Sequence, residues 1–244
     1  QQVQEELRQL VRIASRLGWT LPFRGPIGDL WTVAGNVDLL GYQVGGDPAA
    51  TPVPGGETGA YGRAHPQVAL TWRWPLLRTG AAWGSQLIEP IVQVVAGPNT
   101  GADRRIPNED SVDLEFTDAS LFGFNRFPGR DRLDGGYRLN AGLRGAWFLD
   151  GVTVEGLFGQ AFRAAADDLY PAGSGLEGRR SDYVARLTVI PSEHLTLSYR
   201  TRLDREDFST RLADFSATVS AAGRSLTVSY LAAPAAPAAL QPQA

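Results

Sequence analysis

The residues of this chain best suited to chemistry are few, and their spacing is restrictive. His65 and His194 are the only histidines, and the chain has no cysteine. A zinc site would need a third nitrogen or thiolate ligand, and a triad-type hydrolase would need a serine in a nucleophile-elbow pattern; neither is present. Both histidines read as surface groups on opposite rims. Glu109-Asp110 and Asp167-Asp168 could pair for acid–base work or bridge a divalent cation to phosphates, although adjacent loop carboxylates are usually only solvated. The run Gly173-Ser174-Gly175-Leu176-Glu177-Gly178 has the letters of a dinucleotide-binding loop. Pro171 precedes it and Arg179-Arg180-Ser181 leads into a strand, so no helix N-terminus is available to meet a pyrophosphate. These readings give no metal site, no cofactor and no enzyme.

Arginine is the informative residue. All 23 basic side chains are arginine, against 26 acidic ones. A slightly acidic chain is a poor nucleic-acid binder, because such affinity rests on neutralised phosphates. Arg12, Arg16, Arg73, Arg138, Arg144, Arg163, Arg186, Arg200 and Arg202 recur opposite apolar residues. Guanidinium forks grip phosphate and carboxylate in bidentate fashion, so these groups could line a lumen that takes anionic or sugar-phosphate solutes. Equally, they could pair with Asp38, Glu155 and Asp204 to balance charge. Both readings stay open at the level of sequence.

The elements that would position these arginines are strands. Val11, Ile13, Leu17, Trp19, Leu21 and Phe23 alternate with Arg12, Ala14, Arg16, Gly18 and Thr20. Tyr137 to Leu149 and Leu195 to Leu203 repeat the pattern. At a helical period the arginines would encircle the cylinder and leave no apolar stripe. The period of two predicts strands over 10–23, 30–41, 66–76, 86–97, 137–149, 152–163, 182–190, 195–203, 208–219 and 225–231. Short turns at 24–29, 77–85, 150–151, 191–194 and 220–224 alternate with longer connections. That asymmetry predicts an all-β, antiparallel transmembrane β-barrel meander with about ten strands. No apolar run is long enough for a membrane-spanning helix.

The six tryptophans support the same reading. Trp19 and Trp31 flank the turn at 24–29, Trp72, Trp74 and Trp83 flank that at 77–85, and Trp147 precedes that at 150–151. Together they predict an aromatic girdle at one membrane boundary. Residues 1–231 are expected to form the barrel section and 232–244 an Ala/Pro-rich disordered tail. Gly41 to Gly62 should be a mobile loop. The connection from Gly97 to Gly136 is too apolar to be merely solvated; it should fold over or into the barrel, anchored by Phe122, Phe124 and Phe127. The chain opens Gln1-Gln2 without methionine and trails into alanine and proline, which reads as a piece of something longer.

Over residues 72–211 an ordered set of motifs resembles a known family. It comprises WRWPLLR (Trp72 to Arg78), GSQLIEPIVQ (Gly84 to Gln93), IPNEDS (Ile106 to Ser111), LFGFNRFPGRDRLDGG (Leu121 to Gly136), LRGAW (Leu143 to Trp147) and SYRTRLDRED (Ser198 to Asp207). The set resembles the C-terminal barrel of the LPS-assembly outer-membrane family, LptD, in an alphaproteobacterial style. The resemblance implies a barrel of about 26 strands in the outer membrane of a Gram-negative bacterium. It also implies lipopolysaccharide as cargo and a lipoprotein plug of the LptE type. A periplasmic bridge protein would dock on an N-terminal domain, and outer-membrane lipid would surround the barrel. No bond would be made or broken. Glu89, Gln93, Asn125, Arg126, Phe127, Gly129, Asp131 and Arg132 would shape the lumen and its lid, with Arg126, Asp131 and Arg132 forming one hydrogen-bonded knot. A passive porin, an outer-membrane enzyme and a soluble sugar-binding sheet protein are the competing readings.

Overall fold

The computed structural model describes residues 9–45, 58–99, 103, 105–106, 108–111, 114–166 and 169–233. Most of the expected 41–62 loop, the Ala/Pro tail beyond 233 and the Asp167-Asp168 pair lie outside those residues.

Eleven antiparallel strands form one sheet: β1 (Gln9–Arg24), β2 (Leu30–Gly45), β3 (Gly59–Arg73), β4 (Leu76–Ala81), β5 (Gly84–Gly97), β6 (Gly136–Phe148), β7 (Thr153–Arg163), β8 (Tyr183–Ser192), β9 (Leu195–Leu203), β10 (Thr210–Ala221) and β11 (Arg224–Ala232). Neighbours in sequence are neighbours in the sheet, except that β3 and β4 both pair with β5. This is the expected all-β meander. The outer edges of β1 and β11 carry no strand partner among the described residues.

The eleventh strand and a tighter turn come from one residue. Pro75 has no N–H to give the ladder, so the strand expected over 66–76 stops after Arg73. Trp74 bridges the gap by donating its N–H to the Pro90 carbonyl at 3.1 Å, and pairing resumes at Leu76↔Ile88. The turn expected over 77–85 therefore shrinks to Ala82-Trp83. β2 and β3 also run further than their composition suggested. Gly41 pairs with Gly62 and Tyr42 with Tyr61, inside the stretch expected to be a mobile loop. Backbone pairing tolerates glycine there while Tyr42, 3% exposed, anchors the ladder from its polar side.

Register separates the two faces cleanly. Val11, Ile13, Leu17, Trp19, Leu21 and Phe23 share a face with Val33, Val37, Leu70, Val94, Leu139 and Leu143 through direct cross-strand pairs. Large apolar groups on this face stand exposed along the whole sheet, from Ile13 at 76% to Leu226 at 67%, and among the described residues no second protein layer covers them. In water an apolar surface of that extent would be a severe liability; facing acyl chains it is the stable arrangement. No helix among the described residues is long and apolar enough to cross a membrane.

Trp19, Trp31, Trp72 and Trp147 fall on that same face, while Trp74 and Trp83 lie in the breaks on either side of β4. Asp29, in the turn between β1 and β2, accepts hydrogen bonds on Oδ2 from the indole N–H of Trp31 at 2.7 Å and of Trp72 at 3.0 Å. Each indole thus has its apolar body on the oily face and its N–H turned toward the polar turn, as a boundary position requires. Trp19 lies flat across its cross-strand partner Gly35, where any Cβ would sit 2.7 Å from the indole nitrogen. An aromatic ring covering a glycine in this way protects an otherwise bare stretch of backbone.

Candidate functional site

The opposite face of the sheet is polar, and the connection 98–135 packs onto it. Phe127 joins Phe116, Leu121, Ala161, Tyr170, Leu176 and Val184 in one buried cluster, with Phe122 packed beside it. Each such aromatic or leucine burial contributes about 1.5–3 kcal/mol. Of the three expected anchors, Phe127 is buried and Phe122 partly so, whereas Phe124 engages through its backbone: its carbonyl accepts from Gln67 at 3.2 Å and Arg138 at 2.8 Å.

Two parts of the connection clasp each other. Asp131 accepts on Oδ2 from the backbone N–H of Glu109 at 2.9 Å and Asp110 at 3.2 Å. Asp110 returns the arrangement, accepting from the N–H groups of Arg130 and Asp131 and from the Ser111 hydroxyl. Arg12 of β1 closes over both carboxylates, bonding Asp131 at 2.9 Å and also Asp110. Burial works to raise the Asp110 pKa, yet the backbone donors and the Arg12 guanidinium outweigh it and hold the carboxyl far below its ordinary value. Gly129 is obligatory by space: a Cβ there would lie 2.1 Å from Asp110 Oδ1 and 2.3 Å from its carbonyl oxygen.

A second centre forms around Asp134, which is fully buried. Its carboxylate pairs with Arg163 at 2.8 Å, with Arg126 at 3.6 Å and with Arg138, and it accepts from the Tyr170 hydroxyl. Its backbone carbonyl accepts from Gln67 at 2.7 Å and lies 3.2 Å from His65 Nε2, while its N–H reaches Asn125 Oδ1 at 3.0 Å. Arg126 donates to Asn140 Oδ1 at 2.6 Å, Asn140 donates to Gln93 at 2.8 Å, and Gln93 donates to Thr71 and to the Phe122 carbonyl. Desolvation lowers the Arg126 pKa to about 10, so it stays charged at neutral pH. The guanidinium also lies over the Phe116 ring, 5.4 Å from its centroid.

The remaining arginines of the polar face follow one rule. Arg16 pairs with Asp38 at 2.7 Å, Arg73 with Glu89 at 2.8 Å, and Arg144 sits 3.8 Å from Glu89 and 3.6 Å from Glu155. Arg186 and Arg200 flank Asp118 of the connection at 3.1 and 3.6 Å. Arg202 lies 3.8 Å from Asp182 and donates to the carbonyls of Gly173 and Ser174. Of the two readings of the arginine set, the geometry favours charge balance: every member meets a carboxylate, and for six of the nine that carboxylate is supplied by a connection rather than by a strand. Asp204 is the exception to the expected pairs, since its partner is Arg211 at 2.8 Å.

The knot expected of Arg126, Asp131 and Arg132 is formed only in part: Arg132 donates to the Asp131 carbonyl at 3.3 Å and to those of Asp103 and Ile106, and Asp131 belongs to the clasp, but Arg126 belongs to the Asp134 centre. In irregular backbone, side chains a few positions apart diverge, and each finds a different wall. Asn125 does brace the turn locally, donating to the carbonyls of Phe127 and Gly129. Asp134, Asp118 and Asn140 were missed as site residues. Asn140 lay in the strand pattern beside Arg138 and could have been found there; Asp134 and Asp118 carried no local signal.

Among the described residues no three of His, Asp and Glu group as metal ligands. His65 is buried against the Asp134 carbonyl, contrary to its surface reading, whereas His194 sits exposed in a turn beside Glu193. Of Glu109-Asp110, the clasp takes up the Asp110 carboxylate and the Glu109 backbone N–H. The Gly173–Gly178 run is loop, its carbonyls serving Arg202.

Two comparisons with known proteins bear on this arrangement. A family model described as LPS transport system D, LptD, matches residues 3–244. No curated protein matches the chain.

Proposed function

The chain belongs to the LptD family of LPS transport proteins of the Gram-negative outer membrane, and from that premise we propose that its polar face borders the lumen through which lipopolysaccharide is delivered, with the connection 98–135 as a lid. The observation that carries this reading is the contrast between the faces. One face leaves its apolar side chains bare, and the other is roofed by a segment fastened through paired charges. The role is architectural, and no bond is made or broken. In hydrocarbon every strand edge must be paired, so the open edges of β1 and β11 support membership of a barrel larger than these eleven strands. A lipoprotein plug of the LptE type and a periplasmic bridge protein complete the proposed assembly.

The arginines act here as fasteners for the lid. Arg12 holds the clasp, Arg138 and Arg163 hold Asp134, and Arg186 and Arg200 hold Asp118. The roof over the polar face also separates this reading from the passive porin. A porin would conduct ions steadily in a bilayer without a lipoprotein partner. The test is full-length protein carrying Arg12→Ala with Asp131→Ala. Loss of surface lipopolysaccharide and raised vancomycin sensitivity are expected; wild-type values of both would refute the lid.

A further inference from the structure

The apolar face carries a feature that a plain lipid-facing wall does not need. Gly145 and Gly156 are direct cross-strand partners, with Ile88 beside the first and Leu187 beside the second. The missing side chains leave a notch of about 290 Å³ rimmed by Ile88, Leu143, Trp147 and Phe158. Trp147 covers Gly145, where a Cβ would lie 2.6 Å from the indole, but Gly156 is bare: a Cβ there would meet only the Arg186 carbonyl, at 3.8 Å. From the notch a line of rings climbs the outside of the wall toward the long connections. Phe158 stacks on Tyr183 with centroids 5.3 Å apart, and Tyr183 on Phe208 at 4.9 Å. Phe208, in the β9–β10 turn, holds φ at +58°, a left-handed conformation that is unfavourable for a bulky residue. That strain lets a third, exposed ring lie flush with the other two. At the top stands Arg180. Its bridge to Phe162, the partner of Leu139, puts it on the apolar side. Arg179 and Arg180 are exposed, and among the described residues neither guanidinium meets a carboxylate, since Glu177 and Asp182 are taken by Arg205 and Arg202.

From this juxtaposition we propose that the outside of β5–β8 seats one phosphate-bearing glycolipid of the outer leaflet, with an acyl chain in the Gly156 notch and a phosphate at Arg180. The site rests on the apolar face meeting acyl chains and lies apart from the lid and the polar face. Phe162 stands six positions above Gly156 on β7. That is about 20 Å along the strand, or about 15 Å along the membrane normal at a tilt of about 40°. One leaflet's share of a hydrocarbon core about 30 Å thick is the same depth. A notch surrounds an acyl chain on several sides where a flat wall touches it on one, and each added contact contributes dispersion attraction. Above it, an unpaired guanidinium at the headgroup level is half of a bidentate phosphate contact. The flat, apolar ring faces between the two match the C–H face of a sugar, which favours a glycolipid over a glycerol headgroup.

The test is native mass spectrometry of full-length protein in detergent, stripped of lipid and titrated with bis-phosphorylated lipid A, with lipid A lacking phosphate, and with phosphatidylglycerol. The wild type should hold one more lipid A molecule than Gly156→Leu, whose Cβ has room and whose side chain fills the notch. Arg180→Ala, a change at an exposed rim position, should weaken that molecule about tenfold, the loss of one charge-assisted contact. Removing the phosphates should weaken wild-type binding equally. In cells both variants should deliver lipopolysaccharide normally. Equal lipid A binding by the wild type, Gly156→Leu and Arg180→Ala would overturn the site, and with normal delivery it would leave the transport reading standing. Equal wild-type affinity for phosphatidylglycerol would overturn the glycolipid as occupant. Lost delivery in either variant, with the barrel folded by gel mobility, would assign these residues to the transport route and overturn a separate exterior site.

Discussion

Asp134 is the side chain whose removal should cost most. Its carboxylate is fully buried, as are the guanidinium groups of Arg126 and Arg138, and Arg163 is nearly so. At 3.6 Å and an effective dielectric of about 20, the Arg126–Asp134 attraction alone is about 4–5 kcal/mol before desolvation is subtracted. Asp134→Asn keeps the shape and deletes the charge, leaving three cations with no shared counter-ion. Breaking a buried pair from one side typically costs about 3–5 kcal/mol, and that loss is expected here. The Nε and Nη1 atoms of Arg126 make no hydrogen bond, so Arg126→Met in the same chain should return about 2 kcal/mol by removing one stranded cation. The assay is urea unfolding of full-length protein in detergent, read by the gel-mobility difference between folded and unfolded barrel. A change below about 1 kcal/mol for Asp134→Asn would show that water reaches these charges, and the reasoning from burial would fail.

Three further outcomes follow from single contacts. Gly129→Ala drives a methyl group into Asp110 and should cost about 1–3 kcal/mol, visible as faster tryptic cleavage of the lid, whose arginines become accessible. Because the folded-state pKa of Asp110 is depressed, the clasp's contribution is complete above the ordinary carboxyl value of 3.8 and is lost as pH falls below it. Lid proteolysis should therefore be the same at pH 7 and pH 5 when measured with an arginine-directed protease active at both, and a rise by pH 5 would contradict the bonding described. In vesicles of lipid with brominated acyl chains, Trp19 emission should be strongly quenched relative to a Trp19→Phe control; absence of quenching would place that face in water.

The sheet was legible because its information is periodic. A period of two survives without knowledge of partners, so ten strands could be placed from alternation alone, and register then put the arginines on one side. Proline and glycine misled in opposite directions. Pro75 splits a strand whose alternation runs through it, and Gly41 and Gly62 lie in paired strands although their composition resembles loop. The site was less legible because it is built across the chain. Gly129 was readable as a tight passage, but what crowds it is Asp110, and no local pattern brings those two together. Likewise, Asp134 gathers Arg126, Arg138, Arg163 and Tyr170 from a loop, two strands and a second loop.

The reciprocal bonding of Asp110 and Asp131 has a consequence for the order in which this molecule assembles. Its partners stand about 20 positions apart, so bringing them together costs little chain entropy. Arg12 must come from 119 positions away to reach Asp131, and it can do so only once β1 has joined the sheet. The stopper can thus take its own shape early, from neighbours alone, whereas its locking along β1 depends on the last long-range encounters. A fault in β1 should yield a well-formed stopper seated on β6–β9 but unlocked along the first strand, a failure invisible to any probe of the loop by itself.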